Sequence, residues 1–196
     1  MTKAEKTKQM ILETAAPLFN EKGIAGTSID DVLRITNVAK GCLYSHFENK
    51  ESLSYAMVDH LLQKTTTNTL EKIGKEKSAK MKLYAFMDIY KNPLNTVIEG
   101  GCAILNFAIE SDDTNPAIKQ KIKTIIQRSI HLIAQIINKG IAEKEFSKTF
   151  NAEEFALKMF ALIEGGIMIC RVLNSNKQMH SIITMLKKEI GLYELK

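Results

Sequence analysis

No apolar stretch in the 196 residues is long enough to span a bilayer. Lys, Glu, Asn or Asp interrupts each one short of the roughly 18 to 20 residues a membrane helix needs. That excludes an integral helical membrane protein. Residues 1–10 are polar and lack an apolar core followed by a small-residue cleavage site, so no export signal is read and the expected location is the cytoplasm. Cysteine is scarce. Cys42, Cys102 and Cys170 are odd in number and far apart, which suits neither a disulfide framework nor a zinc site. Free thiols are expected, with no metal and no cofactor. Proline and glycine are few, at three and ten residues, and no Gly/Ser-rich linker, low-complexity tract or internal repeat breaks the chain. Also missing are Gly-x-Ser-x-Gly, a phosphate loop, Gly-x-Gly-x-x-Gly and His-Glu-x-x-His, so no enzyme chemistry is expected.

What is present is a chain 45% apolar and 25% charged, enough for a real core. Its net charge of +5 invites a nucleic-acid reading. The position of the charge does not support it, because the first fifty residues hold seven cations against six anions. The hydrophobic spacing reads as all-α. A first helix runs from about Lys3 to Lys22, with Pro17 inside and Gly23 as its stop. Ser28 and Asp31 form a capping box for a short second helix that ends at Thr36-Asn37, and a third covers about Ala39 to Phe47. Longer helices follow: one after Asn49, one over about 78–90, a short one over 94–98, then one from Pro116 to Lys139 with Gly140 at its end. Asn151 opens another that runs to about Leu173, and the last covers about 177–190.

The second and third helices, joined by a tight Asn-containing turn, form a helix-turn-helix candidate over about residues 28–47. Leu43 and Phe47 lie four apart and can anchor the third helix, leaving Lys40, Tyr44, Ser45 and His46 to point elsewhere with hydrogen-bonding heads. Gly41, without a side chain, lets the backbone approach a bulky partner such as a DNA strand.

At these residues the sequence resembles the TetR family of bacterial transcriptional repressors. The likeness rests on Ile11-Leu12-Glu13-Thr14-Ala15-Ala16, Leu18-Phe19, Lys22-Gly23, Gly26-Thr27-Ser28, Val38-Ala39-Lys40-Gly41, Leu43-Tyr44, His46-Phe47 and Lys50-Glu51 followed by Leu53. It implies a DNA-binding domain over residues 1–50 and a helical ligand-binding and dimerisation domain over 51–196. The resemblance also implies roles. Ser28 would cap the second helix and touch a phosphate; Lys40, Cys42 and Ser45 would face base edges; Tyr44, His46 and Lys50 would hold the DNA backbone. Lys40 has the strongest base preference, for guanine. Lys3, Lys6 and Lys8 resemble the family's basic leader. Three positions depart from the family pattern: Asn37 stands for a glycine, Ala39 for a capping Ser or Thr, and Cys42 for a hydroxyl or small residue.

The same resemblance implies a homodimer on a palindromic double-stranded DNA operator, released by a small-molecule effector. Apolar helices over 116–139 and 152–173 would form the dimer interface through Ile126, Ile133, Ile137, Ile163, Gly166 and Ile167. By analogy Phe86, Tyr90, Phe107 and Met159 would line an apolar ligand pocket. Cys102 counts with them and carries an alternative: Gly101-Cys102 resembles a segment through which some relatives sense electrophiles or oxidants.

Overall fold

The computed structural model describes residues 1–96 and 98–195, a succession of α-helices. They are α1 (Lys3–Lys22), α2 (Ile29–Thr36), α3 (Lys40–His46), α4 (Lys50–Gly74), α5 (Ala79–Ile89), α6 (Ala103–Ser111), α7 (Pro116–Ala142), α8 (Ala152–Val172) and α9 (Lys177–Leu192). Phe146 and Glu194 form an isolated antiparallel bridge pair. No helix is long and apolar enough among the described residues to cross a membrane.

The helix starts follow the capping chemistry of the sequence. The first turn of a helix leaves backbone N–H groups without acceptors, and a short polar side chain just before it supplies one. Asn49, Asn115 and Asn151 each accept, through Oδ1, from the N–H three residues on, at 2.9, 3.0 and 3.2 Å. Ser78 Oγ does the same for Met81 at 3.1 Å. At α1 a capping box not anticipated from the sequence joins Thr2 and Glu5.

One helix end departs from expectation. Helix α7 does not stop at Lys139 but continues through Gly140 to Ala142. Lys144, at φ 62°, makes the left-handed turn, and the N–H groups of Glu145 and Lys144 donate to the carbonyls of Gly140 and Ile141 at 2.8 and 3.2 Å. Gly140 serves packing instead: a Cβ there would stand 2.5 Å from Phe146 Cδ2 and 2.7 Å from the Ala79 Cβ. Helix α8 closes the same way at Asn174, φ 48°, with the Ser175 N–H donating to the Cys170 carbonyl at 3.0 Å. The short helix expected over 94–98 is absent among the described residues; 93–95 make a turn, and residue 97 lies outside them.

The chain divides into two compact units, Met1–Thr65 with Val97–Ile122 and Thr66–Thr96 with Lys123–Lys196. In the first, Ile11, Ala15 and Phe19 of α1 are buried, as are Val32 of α2, Leu43 of α3 and Leu53, Met57 and Leu61 of α4. In the second, the loop between α7 and α8 folds inward. Phe150 stacks on Tyr193 at 4.3 Å between ring centroids and meets Phe146 and Phe155 edge-on at 5.4 and 5.0 Å. The Glu145 carboxylate caps α5, accepting from the N–H groups of Ala79 and Lys80 at 2.9 and 3.2 Å. Helix α8 packs on α9, where a Cβ at Gly166 would stand 2.7 Å from Ile182 Cδ1.

Gly140→Ala tests the packing at the end of α7. Alanine is the better helix former by up to about 1 kcal/mol, yet crowding a rigid ring and a methyl costs about 1–3 kcal/mol. Thermal or urea denaturation will show a net loss of stability; a gain would contradict the close contact with Phe146.

Candidate nucleic-acid interface

Helix α3 spans seven residues, too few to be stable by its own backbone bonds. Its place is fixed from inside: Leu43 is 1% and Phe47 4% exposed. With those two inward, Lys40, Gly41, Tyr44 and Ser45 form one exposed face, while Cys42, His46 and Lys50 are half-buried beside it. Asn37, at φ 52° and ψ 32°, makes the left-handed turn that aims α3 away from α2. Ala39 stands at the N-cap and gives no side-chain bond, as its methyl requires. Around Gly41 nothing lies within 4 Å of where a Cβ would be, so the helix face there is open.

The hydroxyls are more committed than the sequence suggests. Ser28 Oγ accepts from the Asp31 N–H at 3.0 Å and donates its proton to Asp31 Oδ2 at 2.8 Å. A phosphate accepts only, so contact with Ser28 would have to draw that proton from Asp31. Ser45 Oγ likewise donates to the Cys42 carbonyl at 2.7 Å, leaving its lone pairs for a base-edge donor. The bond from Ser28, then that from Arg34, holds the Asp31 carboxyl down to about 2 from an ordinary 3.8. Lys22 Nζ stands 4.0 Å from the same carboxylate.

Lys3, Lys6 and Lys8 all lie in the first turns of α1, which starts at Lys3. Lys8 lies over the Phe47 ring, 5.3 Å from its centroid, where the cation meets the ring's negative face. That contact joins α1 to the end of α3. No sequence pattern signals it, because the two residues are 39 positions apart. Arg34 pairs with Asp31 Oδ1 one turn back on α2, an i,i+3 contact.

Other sequence candidates are spread through both units. Phe86 and Tyr90, one helical turn apart near the end of α5, bring their rings to 5.6 Å. Met159 is buried on α8 and Phe107 on α6. Cys102 is the N-cap of α6 and is 7% exposed. Such burial removes the solvent access that thiol sensing needs, which disfavours the redox alternative. Among the described residues Cys42, Cys102 and Cys170 form no disulfide. Ile133, Ile137, Ile163 and Ile167 are at most 1% exposed within the single chain, and Gly166 is buried against α9. They have almost no surface left for a second subunit to cover; Ile126 is half-buried. The apolar surface that α8 leaves open is a different stripe, Leu157, Met168 and Val172, at 57, 49 and 80% exposure.

Comparison with known proteins agrees with this geometry. Residues 11–57 match the family described as bacterial regulatory proteins, tetR family, and residues 79–186 match the tetracyclin repressor-like C-terminal domain. A TetR-family transcriptional regulator from Cytophaga hutchinsonii superposes with a TM-score of 0.90 at 33% identity, covering 100% of this chain and 98% of that one. A TetR transcriptional regulator from Chloroflexus aurantiacus J-10-FL gives 0.93 at 33% identity, over 99% and 98%. Among characterised sequences, the HTH-type transcriptional repressor DhaR of Mycobacterium sp. (strain GP1) is 21% identical over 91% of this chain and 89% of its own length.

The Asp31 carboxyl sets a pH signature for α2. Its pKa is lower in the folded chain than the ordinary 3.8, so its stabilising bonds are fully present above pH 3.8 and are lost as the pH falls toward about 2. Asp31→Asn will therefore be less stable than the native chain at neutral pH in urea titrations. The difference will shrink between about pH 4 and pH 2; a difference independent of pH would show that the carboxylate charge is not what matters.

Proposed function

The chain belongs to the TetR family of bacterial regulatory proteins and is a DNA-binding transcriptional regulator, and on that premise we propose that it is a homodimeric cytoplasmic repressor released from a palindromic operator by a small apolar molecule. The observation that carries this reading is the exposed face of α3, Lys40, Gly41, Tyr44 and Ser45, backed by the buried Leu43 and Phe47. The first fifty residues would read DNA and residues 51–196 would bind effector and partner subunit. In this reading Lys40, with Cys42 and Ser45, faces base edges in the major groove. Ser28, Tyr44, His46 and Lys50 hold the phosphates, which fix register without reading sequence. Gly41 lets a strand pass close to α3.

A dimer follows from the size of the reading surface. One short helix contacts too few base pairs, and twofold symmetry sets two of them about 34–36 Å apart, one duplex turn. The stripe of Leu157, Met168 and Val172 on α8, with Gly165 between and open space around it, supports that partner contact, as do exposed Met185 and Leu192 on α9. Phe86, Tyr90 and Met159 support an apolar effector, and Phe107 and Cys102 are the family-implied members of the same set. If effector prefers the DNA-incompetent state, operator weakens effector binding by the same factor that effector weakens operator binding.

Gel-shift titration against the protein's own upstream DNA tests the reading; absence of a salt-dependent, sequence-preferring shift would overturn it. Tyr44→Phe and Lys50→Ala are expected to weaken binding to all sequences alike, with Lys50→Ala lowering the salt slope by about 1. Lys40→Ala should instead relax preference at one base position, at about 1–3 kcal/mol. Gly41→Ala will leave the free protein as stable as before, or more so by less than about 1 kcal/mol, while reducing DNA affinity; undiminished affinity would remove the close-approach role. Val172→Glu places a charge on the exposed α8 stripe and is expected to convert a sedimenting dimer to monomer.

A further inference from the structure

We infer that α6 belongs to the DNA-reading body and that Asn106 and Glu110, one helical turn apart on it, are positioning residues that fix where the helix-turn-helix stands; this rests on the operator-binding reading above. Asn20, at the end of α1, is 2% exposed. A buried amide must find partners, and these come from the loop before α6: Asn20 Nδ2 donates to the carbonyls of Glu99 and Gly101 at 2.7 and 3.0 Å. Asn106 answers from α6, its Nδ2 lying within reach of Asn20 O at 2.8 Å, Asn20 Oδ1 at 3.1 Å and Gly100 O at 3.0 Å. Gly100 has φ +99°, and a Cβ on it would stand 2.7 Å from the Asn20 carbonyl carbon, so the loop lies directly on the backbone of α1.

The second connection is to the turn that leads into α2. Glu110 accepts through Oε2 from the Ile24 N–H at 3.0 Å and through Oε1 from the Ala25 N–H at 2.8 Å. Those amides lie past the end of α1, where no helix carbonyl is aimed at them. Gly23, at φ +72°, would put a Cβ 2.7 Å from Oε2, so its hydrogen is what admits the carboxylate. Beside this contact is a cavity of about 140 Å³ lined by Ile24, Ala25, Phe107, Glu110, Thr114 and Ile118. On that side the turn is held by two hydrogen bonds and not by packing. Residues 23–25 run within three positions into Ser28 and α2, so the carboxylate sets the entry of the whole reading motif.

The test uses the full-length protein, a DNA fragment selected by the wild type from a random pool, and a scrambled fragment of equal length. Glu110→Gln keeps the shape but presents a single acceptor oxygen where two amides need one each. It should lower affinity for the selected fragment by about tenfold or more. Binding to the scrambled fragment, and its salt slope, should stay as in the wild type, because that binding depends on surface cations that the change leaves in place. The Ile24 and Ala25 amides should exchange with solvent faster. Asn106→Asp, which sets a carboxylate against three carbonyl oxygens, should act in the same direction; if it does not fold, Glu110→Gln decides alone. An unchanged ratio of selected to scrambled binding overturns the inference, as does a proportional loss of both. Should the wild type select no DNA sequence, the operator reading falls and the inference with it.

Discussion

A helix of seven residues cannot maintain itself in water, because it closes too few backbone bonds to repay nucleation. The exposed face of α3, proposed to read DNA, therefore depends on the burial of Leu43 and Phe47 beneath it. Each buried side chain of this size is worth about 1.5–3 kcal/mol of transfer free energy, and together they orient every residue between them. With positions 43 and 47 inward, positions 41, 44 and 45 fall on the outward side of the helix, and Lys40 is exposed at its first turn. Lys8 over the Phe47 ring adds a contact from α1 to the same anchor.

Electrostatics plays a secondary part. The segment that would meet DNA is nearly neutral, and two of its cations, Arg34 and Lys22, stand beside Asp31. Affinity for a duplex would then come from a few well-placed groups and not from a strongly positive field. A modest salt dependence is the natural consequence, since few counterions would be released per subunit.

The fold also shows how the same chemistry recurs at different scales. Carboxylates close open backbone ends locally, as Asp31 does for Ser28, and at long range, as Glu145 does for α5 and Glu110 for the turn after α1. Glycines at 140 and 166 admit a neighbouring side chain, where sequence alone reads a helix end or an approach by a second subunit. A stripe of isoleucines is equally apolar whether it faces its own subunit or another; Ile133, Ile137, Ile163 and Ile167 are buried within the single chain.

Local chemistry was legible from the sequence. Capping at Ser28, Asn115 and Asn151 depends on residues three positions apart, and the left-handed turn at Asn37 on a residue type that tolerates it. The all-α class, the helix-turn-helix and the inward pair Leu43 and Phe47 rest on periodicity, which is likewise local. Hidden were the left-handed Lys144 and Asn174, the capping role of Glu145 and the contacts of Asn106 and Glu110 with α1 and the turn after it. The contacts of Glu145, Asn106 and Glu110 join residues separated by 65 to 86 positions. Nothing in a one-dimensional pattern fixes which distant donor a carboxylate will meet. Sequence determined which segments are helices and which face of α3 could read DNA, because both follow from the backbone's own periodicity; tertiary structure alone decided what holds that face in place, because the partners become neighbours only when the chain has folded.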